Sequence, residues 1–344
     1  MRARRVRDGL KGWGGVGAMA ALCALALAFV LLLPLSQPRG GDGSTGLTGP
    51  GVAQGTTAAD SHCTDPEKQT LSPSGADGET IAKIKARQGE KRKLIVGVDQ
   101  NSYRWGYRDP NNSGAELEGF DIDLVHRIAK DILGDPKAVL FKAIPTDQRI
   151  PALQAHRVDM VVRTMTITCD RLGKVAFSAP YFKTGQQVLA PRSSTITGYN
   201  DTLANKKVCT AASSTANRTM TEDRDKGSPI PSSVDIVPPV PNQLDCLVRL
   251  QLGEVDAVVT DGALAASQAA QDPTVKLMGA PFTTEYYGVA MNKDADDLVR
   301  RVNQILVDYR ANGWQESYDT WLSATLGPDA DSSKPDAPQY LRKN

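Results

Sequence analysis

The chain has 344 residues, with 40 lysine and arginine residues against 39 aspartate and glutamate, for a formal net charge of +1. That length accommodates two domains of ordinary size, and the balanced charge excludes a global field favouring nucleic acid. Catalytic signatures are sparse: the three histidines, His62, His126 and His156, have no partner at metal-ligand spacing, and neither a P-loop nor a nucleophile elbow occurs.

Arg2, Arg4, Arg5, Arg7 and Lys11 precede an apolar run over residues 16–35. A basic flank on about 20 apolar residues fits a secretory signal or an uncleaved anchor. No clean small-x-small cleavage site follows, and Cys23 sits mid-run behind a bulky Leu22. Residues 1–36 are therefore read as a basic terminus and membrane anchor or signal, with the bulk of the chain outside the cell membrane. Residues 37–76 are rich in Gly, Ser, Thr, Pro and Ala. Such a segment buries too little surface to offset chain entropy and is read as a flexible tether. Ile81 and Ile84 then have helical spacing.

Residues 93–98 (KLIVGV) form an apolar run suited to a buried parallel strand. Aromatic residues cluster just after it, with Tyr103, Trp105 and Tyr107. That position suits either a wall of a ligand site or packing beneath a loop. Asp121 is expected as a helix N-cap, followed by an apolar face of Ile122, Val125, Ile128 and Ile132 that stops at Gly134 and Pro136. A strand over 139–144, a helix reaching Leu153 and a strand over 158–162 complete a βαβαβ pattern. The stretch after that last strand, RTMTITCDR over 163–171, is hydroxyl-rich with an arginine at each end. Hydroxyls and freed backbone N–H groups beside a guanidinium suit capture of a small carboxylate; the alternative is a solvated polar loop.

The pattern restarts after Ser193. Strands are expected over 207–210, 234–237 and 255–259, and helices over 217–222 and 242–252. The small hydroxylic residues Ser213, Ser214 and Thr215 and the acidic Asp261 again fall at strand ends, the edge where open α/β sheets bind ligands. Further strands over 275–278 and 287–291 precede C-terminal helices over 298–312 and 315–322, and residues 327–344 are expected to be disordered. Cys63, Cys169, Cys209 and Cys246 are an even set in an exported chain. Cys209 and Cys246 suit one bridge, worth about 4 kcal/mol in the chain-entropy model, which leaves Cys63 and Cys169 for a second. The alternative is a buried thiol at each place.

Arg149, Arg163 and Arg171 in the first unit, facing Asp261 and the hydroxyls of the second, match a zwitterion with an acidic side chain. The chain resembles the extracellular solute-binding proteins of polar amino acid ABC transporters, family 3. The likeness is carried by LIVGVDQ (94–100), LEGFDIDLVHRIAKDIL (117–133), TDQRIPALQAHRVDMVVRTMTITCDR (146–171), VAFSAPYFKTGQQVL (175–189), VDAVVTD (255–261) and PFTTEYYGVAMNK (281–293). Cys209 and Cys246 match places where cysteines recur in the actinobacterial glutamate/aspartate-binding branch.

The resemblance implies an α/β, two-lobed periplasmic-binding-protein-like fold of type II, a venus flytrap with two crossover strands. Lobe 1 would be 77–190 plus 284–326 and lobe 2 191–283, with crossovers near 188–192 and 281–285. It implies that Arg171 clamps a ligand α-carboxylate with Thr164 and Thr166, and that Asp261 holds the α-ammonium. Ser213, Ser214 and Thr215 would cap the carboxylate, and Arg149 with Thr146 would meet an acidic side chain. Three departures stand out: the usual Tyr-Pro-Pro-Phe is replaced around Tyr103 and Trp105, Ser213 replaces glycine, and Arg163 replaces a small residue. The expectation is a monomer that binds an amino acid without a cofactor and serves an ABC permease. A membrane signalling partner is the alternative, and a dehydratase-like enzyme a more distant one.

Overall fold

The computed structural model describes residues 63–109, 111 and 116–343. The expected membrane anchor and residues 37–62 of the expected tether lie outside the described residues. Among the described residues, no helix is long and apolar enough to cross a membrane.

The elements run in chain order as α1 (Glu79–Lys85), β1 (Leu94–Val98), β2 (Asn101–Ser102), β3 (Gly106–Tyr107), α2 (Phe120–Leu133) and β4 (Val139–Ala143). There follow α3 (Arg149–Gln154), β5 (Met160–Val161), α4 (Cys169–Leu172), β6 (Ala176–Phe177), β7 (Phe182–Thr184), β8 (Gln186–Pro191) and β9 (Lys207–Cys209). Next are α5 (Thr215–Lys226), β10 (Asp235–Ile236), α6 (Gln243–Gln251), β11 (Ala257–Asp261), α7 (Gly262–Gln271) and β12 (Val275–Met278). The chain closes with β13 (Glu285–Tyr287), β14 (Ala290–Met291), α8 (Asp296–Ala311), α9 (Trp314–Trp321) and α10 (Ser323–Leu326).

Two five-stranded sheets organise these elements, in the orders β4-β1-β5-β14-β6 and β10-β9-β11-β8-β12. In the first, β1 runs parallel to β4 and β5, and β14 lies antiparallel to β5 and β6. In the second, β9 runs parallel to β10 and β11, and β8 lies antiparallel to β11 and β12. Helix α2 covers the first sheet because its apolar face, including Ile122, Val125, Ile128 and Ile132, is buried, and it stops at Gly134 with φ 81°. Asp121 is not the N-cap expected from sequence; Gly119 takes that place, and Asp121 lies buried in the first turn.

The chain passes between the sheets twice. Strands β7 and β13 pair antiparallel, and Phe282 N–H donates to the Gln186 carbonyl at 2.9 Å. The whole of β8 already belongs to the second sheet, so the first crossing falls at 184–186, ahead of the expected 188–192. The crossing strands touch at Gly185, where a Cβ would lie 2.1 Å from the Thr283 carbonyl oxygen.

Both ends of the described chain differ from the sequence expectation. Leu71 is fully buried beside α8, where Asn303 Nδ2 donates to its carbonyl at 2.6 Å. The tail beyond Gly327 is ordered along that same segment: Leu341 N–H donates to Lys68 O and Arg342 N–H to Thr70 O. Neither stretch has periodic apolar residues, so only a docked backbone reveals them. Two disulfides, Cys63–Cys169 and Cys209–Cys246, are formed. The first fastens the segment before α1 to the first residue of α4. The second ties β9 to α6 across 37 residues.

Candidate functional site

The C-terminal ends of β1, β4 and β5 face the ends of β9 and β11, and a cavity of about 350 Å³ opens between them. Thr146, Arg149 and Arg171 line one side, and Ser213, Ser214 and Thr215 the other. Lys174 and Arg218 also border it, with Asp147 and Asp170.

Arg171 is placed by its own short helix. Thr168 caps α4, its hydroxyl accepting from the Arg171 N–H at 3.3 Å. The guanidinium is buried at 6% exposure; Nη1 donates to the Thr166 carbonyl at 2.7 Å and Nη2 reaches across to the Ser213 carbonyl at 3.0 Å. Ser213 presents that carbonyl because it adopts φ 58°, and Ser214 then caps α5 by accepting from Asn217 N–H at 3.0 Å. Arg149 opens α3 at 3% exposure, with Nε donating to the Thr146 carbonyl at 2.9 Å and Nη1 to the Arg163 carbonyl at 3.3 Å.

Two buried guanidinium groups thus face one cavity. Burial lowers the pKa of Arg149 well below its usual value, and the Arg171 and Arg163 cations add to that effect. Burial likewise brings Arg171 down to about 10, partly opposed by Glu285 and Asp261. The site therefore carries uncompensated positive charge that a bound carboxylate would relieve.

Asp261 ends β11 at 7% exposure and accepts from the Tyr287 hydroxyl at 2.6 Å. It lies behind the cavity lining, within the electrostatic reach of Arg171 and Arg149. Burial, reinforced by the neighbouring Glu285 carboxylate, pushes its pKa up to about 7. Glu285 sits on the crossing strand, where Gln186 Nε2 donates to Oε1 at 2.7 Å and Oε2 has no partner. A buried carboxylate pair of this kind favours a nearby ammonium.

The other sequence-derived candidates divide. Thr164, at φ 43°, and Thr166 are buried beside the cavity rather than lining it, and Thr164 N–H donates to Asp121 at 3.1 Å. The aromatic wall is not formed as expected. Trp105 is fully buried, packs edge-on against Phe182 at 4.8 Å and Tyr287 at 5.7 Å, and its indole N–H donates to Ser267 Oγ at 3.2 Å. The chain's return to α2 folds that indole under the crossing strands, where it supports Tyr287. Tyr103 borders a separate narrow crevice beside Gln243 and Leu264. Arg163 is fully buried and ion-paired with Asp99 at 2.9 Å, away from the cavity lining. Sequence reasoning missed Tyr287, Glu285, Lys174 and Arg218. Tyr287 stands inside the PFTTEYYGVAMNK stretch, but nothing there marks which tyrosine turns inward.

Among the described residues, no group of three or more His, Cys, Asp or Glu could hold a metal ion. Residues 94–324 match the model of the bacterial extracellular solute-binding proteins, family 3. The ABC transporter glutamine-binding protein GlnH of Bacillus subtilis is 34% identical over 245 residues, covering 71% of this chain and 85% of that protein. Glutamate-binding protein GluB of Corynebacterium efficiens is 28% identical, over 70% of this chain and 81% of that protein. Among solved structures, an ancestral arginine-binding protein bound to glutamine is 33% identical with a TM-score of 0.59, covering 68% of this chain and 98% of that one. A mutant of ArgBP from T. maritima is 27% identical with a TM-score of 0.62, over 71% of this chain and all of that one. The relatives are binding proteins rather than enzymes, and the disulfides fit the oxidising side of a membrane. With its two lobes, its paired crossing strands and its cleft between strand ends, the chain belongs to the bacterial extracellular solute-binding proteins, family 3.

Proposed function

We propose that the protein binds an acidic amino acid, glutamate or aspartate, between its lobes and delivers it to an ABC permease. The observation that carries this reading is the pair of buried guanidiniums, Arg149 and Arg171, at one cavity with Asp261 behind it. Arg171 takes the α-carboxylate, supported by the hydroxyls and N–H groups at Ser213, Ser214 and Thr215. Asp261 takes the α-ammonium, with Thr164 and Thr166 alongside. Arg149, with Thr146, takes the side-chain carboxylate. An amide side chain would leave the second guanidinium without an anion, which disfavours glutamine and asparagine. A ligand of about ten heavy atoms reaches micromolar affinity at about −8 kcal/mol, well within the ceiling of about −1.5 kcal/mol per atom.

A thermal-shift screen of amino acids, followed by calorimetry of Arg149→Ala, tests this. Glutamate or aspartate should raise the melting temperature, and the variant should lose more affinity for glutamate than for glutamine. Equal losses would remove Arg149 from the side-chain role. One observation favours a second reading, a sensor presenting its closed state to a membrane partner. The Cys63–Cys169 bridge fastens a residue of the expected tether two positions from Arg171 in the chain, next to the ligand loop. Co-purification of a kinase or receptor instead of a permease would favour the sensor.

A further inference from the structure

We infer that Arg163 is a positioning residue that latches the closed cleft, and that it does so through Asn242 rather than by touching ligand. The inference rests on the binding reading above only for its ligand measurements. Arg163 has 0% exposure and three partners of different origin. Nη2 pairs with Asp99 Oδ2 at 2.9 Å at the end of β1, and Nη1 donates to Thr146 Oγ1 at 3.0 Å. Nη2 also donates to Asn242 Oδ1 at 2.9 Å, on the opposite lobe immediately before α6.

Asp99 cannot swing away. Its carboxylate also accepts from Gln100 N–H, Asn101 N–H and Ser102 Oγ at 2.8–3.0 Å. The guanidinium is therefore fixed in lobe 1 and directed at lobe 2. Asn242 is equally fixed, because its N–H donates to Asp245 Oδ2 at 3.0 Å in the first turn of α6. Beside this contact, Thr146 N–H donates to the Pro241 carbonyl at 3.0 Å, which makes residues 241–242 the seam between the lips. The seam connects to both halves of the site. The Arg163 carbonyl accepts from Arg149, and α6 is bound through Cys246 to Cys209, four residues before Ser213.

A charge-assisted hydrogen bond present only when the lobes meet adds to the closed state and not to the open one. It therefore acts on every ligand alike, mainly through the dissociation rate. This gives the departure at Arg163 a role that a small residue could not fill.

The deciding variant is Asn242→Ser. Serine is as good an N-cap as asparagine, but it is too short to reach Arg163, so α6 should persist while the latch is lost. Stopped-flow dissociation of glutamate and of glutamine should quicken by about tenfold for both, the scale of one hydrogen bond to a charged group. The helical circular-dichroism signal of the ligand-free protein should hold, because α6 keeps its cap. In the double mutant with Arg163→Met, the Asn242→Ser effect should vanish. If Arg163→Met does not fold, Asn242→Ser alone decides. Unchanged dissociation, or a change for one ligand only, overturns the latch. Spin labels introduced by Lys137→Cys and Lys226→Cys, exposed on opposite lobes, separate the two ideas. If the wild type binds no amino acid, the binding reading fails, yet Asn242→Ser should still widen the interlobe distance distribution. An unchanged distribution overturns the latch on its own.

Discussion

Arg171→Ala is the sharpest perturbation of the site. The native guanidinium is buried and makes two charge-assisted hydrogen bonds of 2.7 and 3.0 Å, one to each lobe. Truncation leaves the Thr166 and Ser213 carbonyls without that donor and removes the cation opposite a ligand carboxylate. Breaking one side of a buried charged pair costs about 3–5 kcal/mol. At 1.4 kcal/mol per tenfold, affinity should fall by about 150- to 4000-fold. The unliganded fold should survive, because Arg171 is desolvated at a cost that its own partners only partly offset; burial lowers its pKa to about 10. Isothermal calorimetry measures the loss, and circular dichroism with a thermal melt verifies the fold. A folded variant with affinity within about threefold of wild type, far less than one buried charged contact should cost, would refute Arg171 as the carboxylate clamp.

Three further outcomes are expected. Asp261 is held near a pKa of about 7 in the ligand-free protein, while an ammonium partner stabilises its ionised form, so binding should release a proton at mildly acid pH. Affinity should then fall as pH drops from 7 to 5, by up to about tenfold per pH unit, and Asp261→Asn should flatten the profile. The same raised pKa, shared by Asp121 at about 7 chiefly through burial, acts oppositely on stability. These two groups stabilise the unliganded fold below about pH 4, and that contribution is lost as pH rises through 7; thermal melts between pH 4 and 8 would show the trend, and a melting temperature that rises across that range in wild type but not in Asp121→Asn would contradict it. Trp105→Ala should cost about 3–5 kcal/mol of folding stability, because the indole is fully buried against Phe120, Phe182 and Tyr287. Lost affinity at unchanged melting temperature would instead make Trp105 a cleft wall.

The two-lobed α/β architecture was legible in the sequence because it is written in short-range patterns. Apolar runs such as 94–98 and 255–259, followed by polar strand ends, place Arg171, Asp261 and the Ser213–Ser214–Thr215 group at sheet edges whatever the details of packing. The cysteine pattern was readable for the same reason, as an even set on an exported chain. The fate of the arginines was not. Arg149, Arg163 and Arg171 look alike in sequence, each beside hydroxyls near a strand end, yet two face the cavity and the third is consumed by Asp99 and Asn242. Which carboxylate or amide meets a guanidinium depends on residues 64 and 79 positions away in the chain, so no local pattern encodes it. Trp105 went the same way: an aromatic after a strand serves either as wall or as core, and only the crossing strands that fold over it decide. The docking of the two ends of the described chain was hidden because it rests on backbone hydrogen bonds and on isolated side chains such as Leu71 and Arg342, which show no period in the sequence. By itself the sequence determined the lobes, the strand-end site and its excess of positive charge, since each follows from residue type and period. Tertiary structure alone decided which charges remain free for a ligand, because burial and long-range pairing assign each one its partner.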